Sequence, residues 1–211
     1  MAGKAELHRQ PFTVYGQSGS GNCHKVTFVA NLLSIPFTWT EIDSTTGQTR
    51  TPAFLAINPA GQVPCVVLAD GRVLSQSNAI MLYLAEGSRL IPEDRFDRAQ
   101  MYQWLFWEQY SHEPTIAVRR ARKVFGKVKE EDIDPKLMES GTRALELMQK
   151  HLAGAEGGYF VGATLTLADI ALVAYTRLAH EGGFDLVKYP AVLAWVKRVC
   201  GDLGVEYTGP V

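Results

Sequence analysis

Val14-Tyr15-Gly16-Gln17-Ser18-Gly19-Ser20-Gly21-Asn22-Cys23-His24-Lys25-Val26 carries the chain from an apolar segment, through a run of Gly, Ser and Asn, into a helical pattern. Glycine allows a tight turn and close backbone approach, and Ser and Asn are favoured helix caps. A strand that turns into a helix this way presents backbone N–H groups that lack intrahelical partners, at the positive end of the helix dipole. Such a turn is suited to holding an anion.

The flanking residues make it the first turn of a β-α-β unit. Phe12 to Tyr15 reads as a short strand of aromatic and β-branched residues. Val26, Val29, Ala30 and Leu33 recur at helical spacing, and Ile35-Pro36 ends that helix. Phe37 to Ile42 reads as a second strand, which implies a parallel pair with a right-handed crossover. Past the polar stretch Ser44 to Arg50, Thr51-Pro52 opens a short helix that Asn58-Pro59 closes. Cys65 to Leu68 and Val73-Leu74 read as a hairpin with Asp70-Gly71 as a two-residue turn. Ser75-Gln76-Ser77-Asn78 caps a helix from Ala79 to Glu86, which Gly87 stops. The order describes one mixed sheet with helices on its faces.

After Ser88 to Pro92 the alternation of strands gives way to helical patterns. Met101, Trp104, Leu105 and Glu108 fall at helical intervals within Glu93 to Ser111, and Pro114 is expected to kink or divide this helix from Thr115 to Val124. Pro135 to Leu152 is amphipathic, and Gly154 to Gly162 is a loop. Thr166-Leu167-Ala168-Asp169 is a capping box that opens an apolar helix to about His180, a feature of folding rather than chemistry. Tyr189-Pro190 opens a last helix to about Val199. The chain is therefore expected to hold an α/β domain over residues 11–87 and an all-helical domain over 93–205.

The 211 residues suffice for one or two domains, and the mixture of 46% hydrophobic and 20% charged residues is that of an ordinary globular protein. A formal net charge of -1 favours neither nucleic acid nor an anionic membrane. Cys23, Cys65 and Cys200 show no paired or metal-like spacing, which suits a reducing compartment. The five histidines show no metal-ligand spacing either. With no apolar signal core in Met1 to Pro11 and no run of membrane-spanning length, a cytoplasmic location is expected.

The order of elements, the capped turn, Gln62-Val63-Pro64, Gln76-Ser77-Asn78-Ala79-Ile80 and Thr166-Leu167-Ala168-Asp169 resemble a cytosolic glutathione S-transferase, from Phe12 to Val199. Ser20-Gly21-Asn22-Cys23-His24-Lys25-Val26 is similar to bacterial members, and to the branch in which Thr or Asn serves glutathione at this turn. The resemblance implies a thioredoxin-like domain followed by a helical bundle that contributes the second-substrate pocket. It also implies a homodimer, glutathione as co-substrate without a metal, and conjugation of the detoxifying kind. The partner molecule is then a small electrophile, or a disulfide or peroxide if the enzyme is a reductase. A non-catalytic binding protein on the same fold is the third reading, kept open by Gln62 and Gln76 at positions where relatives carry charged residues.

Within that resemblance Ser20 and Asn22 are the candidates for activating the glutathione thiol, since a hydroxyl or an amide N–H can be donated to sulfur. Either residue is also an ordinary helix cap. Tyr15 is a third candidate, because tyrosine-using classes place a Tyr before the turn. Gln62 stands where relatives meet the glycine carboxylate of glutathione. Val63, before an implied cis proline, would pair its backbone with the tripeptide like an added strand. Gln76 and Ser77 would hold the γ-glutamyl end at a helix start. Cys23 lacks a second Cys three residues on, so a dithiol motif is absent, and its phase near Val26 favours packing. Trp104, Phe106, Trp107 and Tyr110 read as an aromatic cluster, some members of which would line an apolar pocket. Arg119, Arg120, Arg122 and Lys123 read as a solvated helix face.

Overall fold

The computed structural model describes residues 10–210 and divides after Ile91 into two compact units. The first holds a four-stranded sheet in the order β2-β1-β3-β4. Strand β1 (Phe12–Gly16) leads through the Gly-Ser turn into helix α1 (Gly21–Leu32), which returns to β2 (Phe37–Glu41), parallel to β1. Burial of Phe12, Val14 and Gly16 alternates with partial exposure of Thr13 and Tyr15, so one face of β1 packs inward. Two 3₁₀ turns, at Ser44–Thr46 and Gln48–Arg50, precede helix α2 (Pro52–Ile57), whose cap Thr51 accepts the Phe54 N–H at 3.3 Å.

Strands β3 (Cys65–Val67) and β4 (Val73–Ser75) are antiparallel, and β3 is antiparallel to β1. Their connection is one residue longer than the Asp70-Gly71 reading. The Leu68 N–H donates to Arg72 O at 2.8 Å, enclosing three residues with Gly71 in the left-handed region at φ 83°. Helix α3 (Ser77–Ala85) begins two residues earlier than the spacing predicts, so Ser77 is its first residue rather than part of the cap. The result is a thioredoxin-like α/β domain followed by a helical domain.

In the helical unit, α4 (Arg95–Trp107) is capped by Asp94 and runs without a break into a π-helical segment, Glu108–Ala117, and then α5 (Val118–Val124). Pro114 lies inside this continuous helix and does not divide it. The wider π turn accommodates the missing N–H, and the Thr115 hydroxyl lies 3.2 Å from Ser111 O and 3.0 Å from His112 O. His112, fully buried, meets the Thr176 hydroxyl at 2.9 Å through Nε2. That hydroxyl donates its proton to Leu172 O at 2.7 Å, so His112 Nε2 carries the hydrogen of their bond. Helix α6 (Pro135–Ala153) follows, then α7 (Leu167–Thr176), buried along its whole length, and α8 (Pro190–Leu203). The aromatic residues of α4 and the π segment part company: Trp104 packs on Trp107, His151 and Phe160, whereas Phe106 and Tyr110 are exposed. The basic run is also split, since Arg119 and Arg120 are buried and paired with Glu130 and Glu181.

Asp169 anchors this unit. Its carboxylate is fully buried and accepts the Phe160 N–H at 2.9 Å, the Thr166 N–H and hydroxyl at 3.0 Å each, and the Trp195 indole N–H at 2.9 Å. Burial pushes its carboxyl upward, and these four donors oppose that shift. Removing the acceptor strands three N–H groups in a dry site, each costing about 1–3 kcal/mol when unpaired. Asp169→Ala is expected to lower stability by about 3 kcal/mol or more, read as a fall in urea midpoint, with Asp169→Asn losing less because it keeps one acceptor oxygen.

Candidate functional site

The sheet register gathers the predicted residues of the first unit along one edge. Tyr15, next to last in β1, lies opposite Cys65 at the start of β3, and Cys65 lies opposite Ser75 at the end of β4. The turn after β1, the Gln62-Val63-Pro64 segment before β3 and the Gln76-Ser77 start of α3 therefore share an end of the sheet.

The turn itself is tightly determined. Ser20 is the N-cap of α1 (φ −91°, ψ 121°), and its hydroxyl oxygen accepts the Cys23 N–H at 3.4 Å. The Ser20 N–H donates to Gln17 O at 2.9 Å, closing the turn. A cap that accepts through oxygen still has its own proton to give. Strand β2 grips the same turn from the side. The Ser18 N–H and hydroxyl reach Glu41 Oε1 at 2.9 and 3.3 Å, and the Trp39 indole donates to Glu41 Oε2 at 2.7 Å. Gly16 lies under the Trp39 ring, which a Cβ would strike. Tyr15 packs edge-on against Phe54 of α2, with ring centroids 6.5 Å apart.

Cys23 is fully buried, and its sulfur accepts the Gln17 N–H at 3.4 Å. Burial pushes its thiol up, more than the Gln17 and Ser20 hydrogen bonds pull it down, and the nearby Glu41 charge adds to the rise. Cys65 is pushed up to about 11, chiefly by burial and further by Cys23. Neither thiol is poised as a nucleophile.

Asn22 turns toward α3, where its Oδ1 accepts the Ser77 hydroxyl at 3.3 Å. One turn along α1, the buried Lys25 donates from Nζ to Asn78 Oδ1 at 3.4 Å. Two side-chain bonds thus join α1 to the first residues of α3. Gln76, which precedes them, adopts φ 70° and ψ 110°, a strained conformation for a residue with a Cβ. Helix α3 carries no side-chain cap bond from it, so its first N–H groups face outward from the helix end.

At the third subsite the Val63-Pro64 peptide bond is cis, and Val63 has no backbone partner among the described residues. The buried Asn58 shapes this loop, donating from Nδ2 to Gln62 O at 2.8 Å and accepting the Ala60 N–H at 3.2 Å. Gln62 is exposed. The Arg50 guanidinium lies across Gly61, donating to Ala60 O at 3.4 Å, and so places a cation beside a position where sequence reasoning saw only a neutral amide. Glu41, Arg50 and Lys25 all escaped that reasoning. Lys25 alone left a trace there, four residues before Val29 on the apolar stripe of α1.

A strand-turn-helix with a donor-bearing cap, an unpaired backbone before a cis proline and a second helix start can hold an extended peptide with an anion at its middle. Residues 19–86 match the glutathione S-transferase N-terminal domain, and residues 102–202 the C-terminal domain. The chain is 32% identical over 210 residues to glutathione S-transferase 3 of Zea mays, covering 94% of this chain and 93% of the relative. A crystal structure of a glutathione S-transferase from Pseudomonas fluorescens Pf-5 superposes with a TM-score of 0.86 at 46% identity, covering 90% of this chain and 94% of that one. One from Xanthobacter autotrophicus Py2 gives 0.87 at 44%, covering 94% and 97%. The chain belongs to the glutathione S-transferase family, a family of transferase enzymes.

The raised thiols carry a stability consequence. A thiol whose folded pKa exceeds its unfolded value of 9.0 stabilises the fold fully below about pH 9, and that contribution is lost as pH rises toward 11. Urea midpoints are expected to fall across this interval in the wild type, and to fall less in Cys65→Ala, whose lower starting stability reflects the cavity it leaves.

Proposed function

We propose that this protein binds glutathione along the shared edge of its first domain and activates the thiol with Ser20. The γ-glutamyl carboxylate lies on the N–H groups at Gln76 and Ser77, where a helix start favours an anion. The cysteinyl backbone pairs with Val63 as an added strand. The glycine carboxylate meets Gln62, with the Arg50 charge beside it. The sulfur then falls at the start of α1.

One observation carries the reading: the Ser20 hydroxyl stands at the start of α1, accepts the Cys23 N–H and can still donate its own proton to sulfur. Burial holds Cys23 as a neutral thiol despite its hydrogen bond with Ser20, and a thiolate is the stronger acceptor for the same hydroxyl. A free thiol of pKa about 8.5 is only a few per cent ionised at neutral pH. One hydroxyl hydrogen bond and the end of a helix dipole together lower it by about one to two units, at roughly 1.4 kcal/mol per unit. The thiolate attacks a small-molecule electrophile. Sulfur forms the new bond, and the leaving group departs with the electron pair.

Asn22 serves this site through Ser77, with which its carbonyl oxygen is engaged. Tyr15 is committed to packing on Phe54. The enzyme works as a homodimer in the cytoplasm, where a reducing environment keeps three buried thiols free.

Ser20→Ala is expected to raise the apparent thiol pKa by about one unit and to lower kcat/KM with an aryl halide about tenfold near pH 6.5, with most of the loss recovered above pH 9. Ser20→Thr should restore activity, and Tyr15→Phe should leave the profile in place. An unchanged profile in Ser20→Ala would remove Ser20 from the chemistry. Turnover of a mixed disulfide in preference to the aryl halide would reassign the same thiolate to reduction.

A further inference from the structure

The turn that carries Ser20 is held from outside by a carboxylate that takes no part in the proposed chemistry. Glu41 ends β2 as an exposed residue, and both of its oxygens accept hydrogen bonds. Oε1 receives the Ser18 N–H and hydroxyl at 2.9 and 3.3 Å, and Oε2 receives the Trp39 indole N–H at 2.7 Å. Trp39 in turn covers Gly16, and the Ser44 hydroxyl reaches the Gln17 side chain. Between them these contacts touch the turn at Gly16, Gln17 and Ser18, and its closing bond runs from the Ser20 N–H to Gln17 O at 2.9 Å.

The electrostatics make the choice of residue informative. A negative charge so close to the turn opposes any anion there, as its effect in raising the Cys23 thiol shows. A site evolved only for charge would exclude it. Its presence is explained by geometry, because three donors converge on it and only a carboxylate accepts on both oxygens. A glutamine in its place must turn its amide N–H₂ toward either Ser18 or Trp39, where a donor already stands.

We propose that Glu41 is a positioning residue for thiol activation, acting through the Gln17 to Ser20 turn to aim the Ser20 hydroxyl. This rests on the proposed role of Ser20, and it assigns to strand β2 a part in catalysis without contact with glutathione. The consequence is non-additivity. If Glu41 works only by aiming Ser20, its removal costs nothing further once the hydroxyl is gone.

The test is a double-mutant cycle on the full chain, with kcat/KM measured against glutathione and an aryl halide. Glu41→Gln is expected to lower kcat/KM about tenfold, since small misplacement of a catalytic group is costly. Added to Ser20→Ala, the same change should cost less than twofold. In a Trp39→Phe background, where the competing indole donor is absent, Glu41→Gln should also cost less than twofold, because the amide oxygen can then face Ser18. Additive losses in the Ser20→Ala cycle, or an equal loss in the Phe background, would overturn the proposal. A wild type that turns over no glutathione would instead refute the function on which it rests, so the two failures are distinguishable. Near-equal thermal midpoints for Glu41→Gln and the wild type separate positioning from unfolding.

Discussion

A helix that starts where a strand ends has backbone N–H groups it cannot satisfy, and this chain places two such starts at one end of a sheet. Helix α1 leaves β1 through a turn capped by Ser20, and α3 leaves β4 through the strained Gln76. The antiparallel register of β3 with both β1 and β4 sets the Val63-Pro64 segment between them. Everything proposed for the ligand follows from that convergence. In the proposed complex each positive helix end meets an anion, and the strand segment between them pairs with a short extended peptide.

The helical domain rests on a different device. Its most buried helix, α7, begins at a carboxylate that satisfies four donors from three separate segments. Asp169 belongs to the capping box by sequence, yet its bonds to Phe160 and Trp195 tie the preceding loop and α8 to the same point. A single acceptor thereby organises the aromatic cluster of Trp104, His151, Phe160 and Trp195. The π segment is likewise anchored by a polar contact, from His112 to Thr176.

Much of this was legible beforehand, and what was not has physical reasons. Cap chemistry, period and punctuation locate nearly every strand and helix, because each depends on residues close in sequence. The start of α3 and the undivided helix at Pro114 differ from what the sequence predicts. Gln76 carries no sign of a positive φ, and a proline reads as a break unless the helix widens around it. The site residues are partly visible, since Ser20, Asn22, Val63 and Ser77 belong to local motifs. The paired contacts are not. That Asn22 meets Ser77 across 55 positions, or that Glu41 meets Ser18 across 23, depends on how elements dock.

Among the described residues strand β2 lies at the edge of the sheet, paired on one side alone. Edge strands open more readily than central ones, and such openings release the hydrogen bonds they carry. Since the turn bearing Ser20 is held from β2, its lifetime in working geometry is bounded by the closing of that edge. The Ser18 amide is then a reporter: its hydrogen exchange should keep step with that of β2 rather than with the buried strands behind it. A turn that follows a central strand thus inherits the tempo of the sheet's margin.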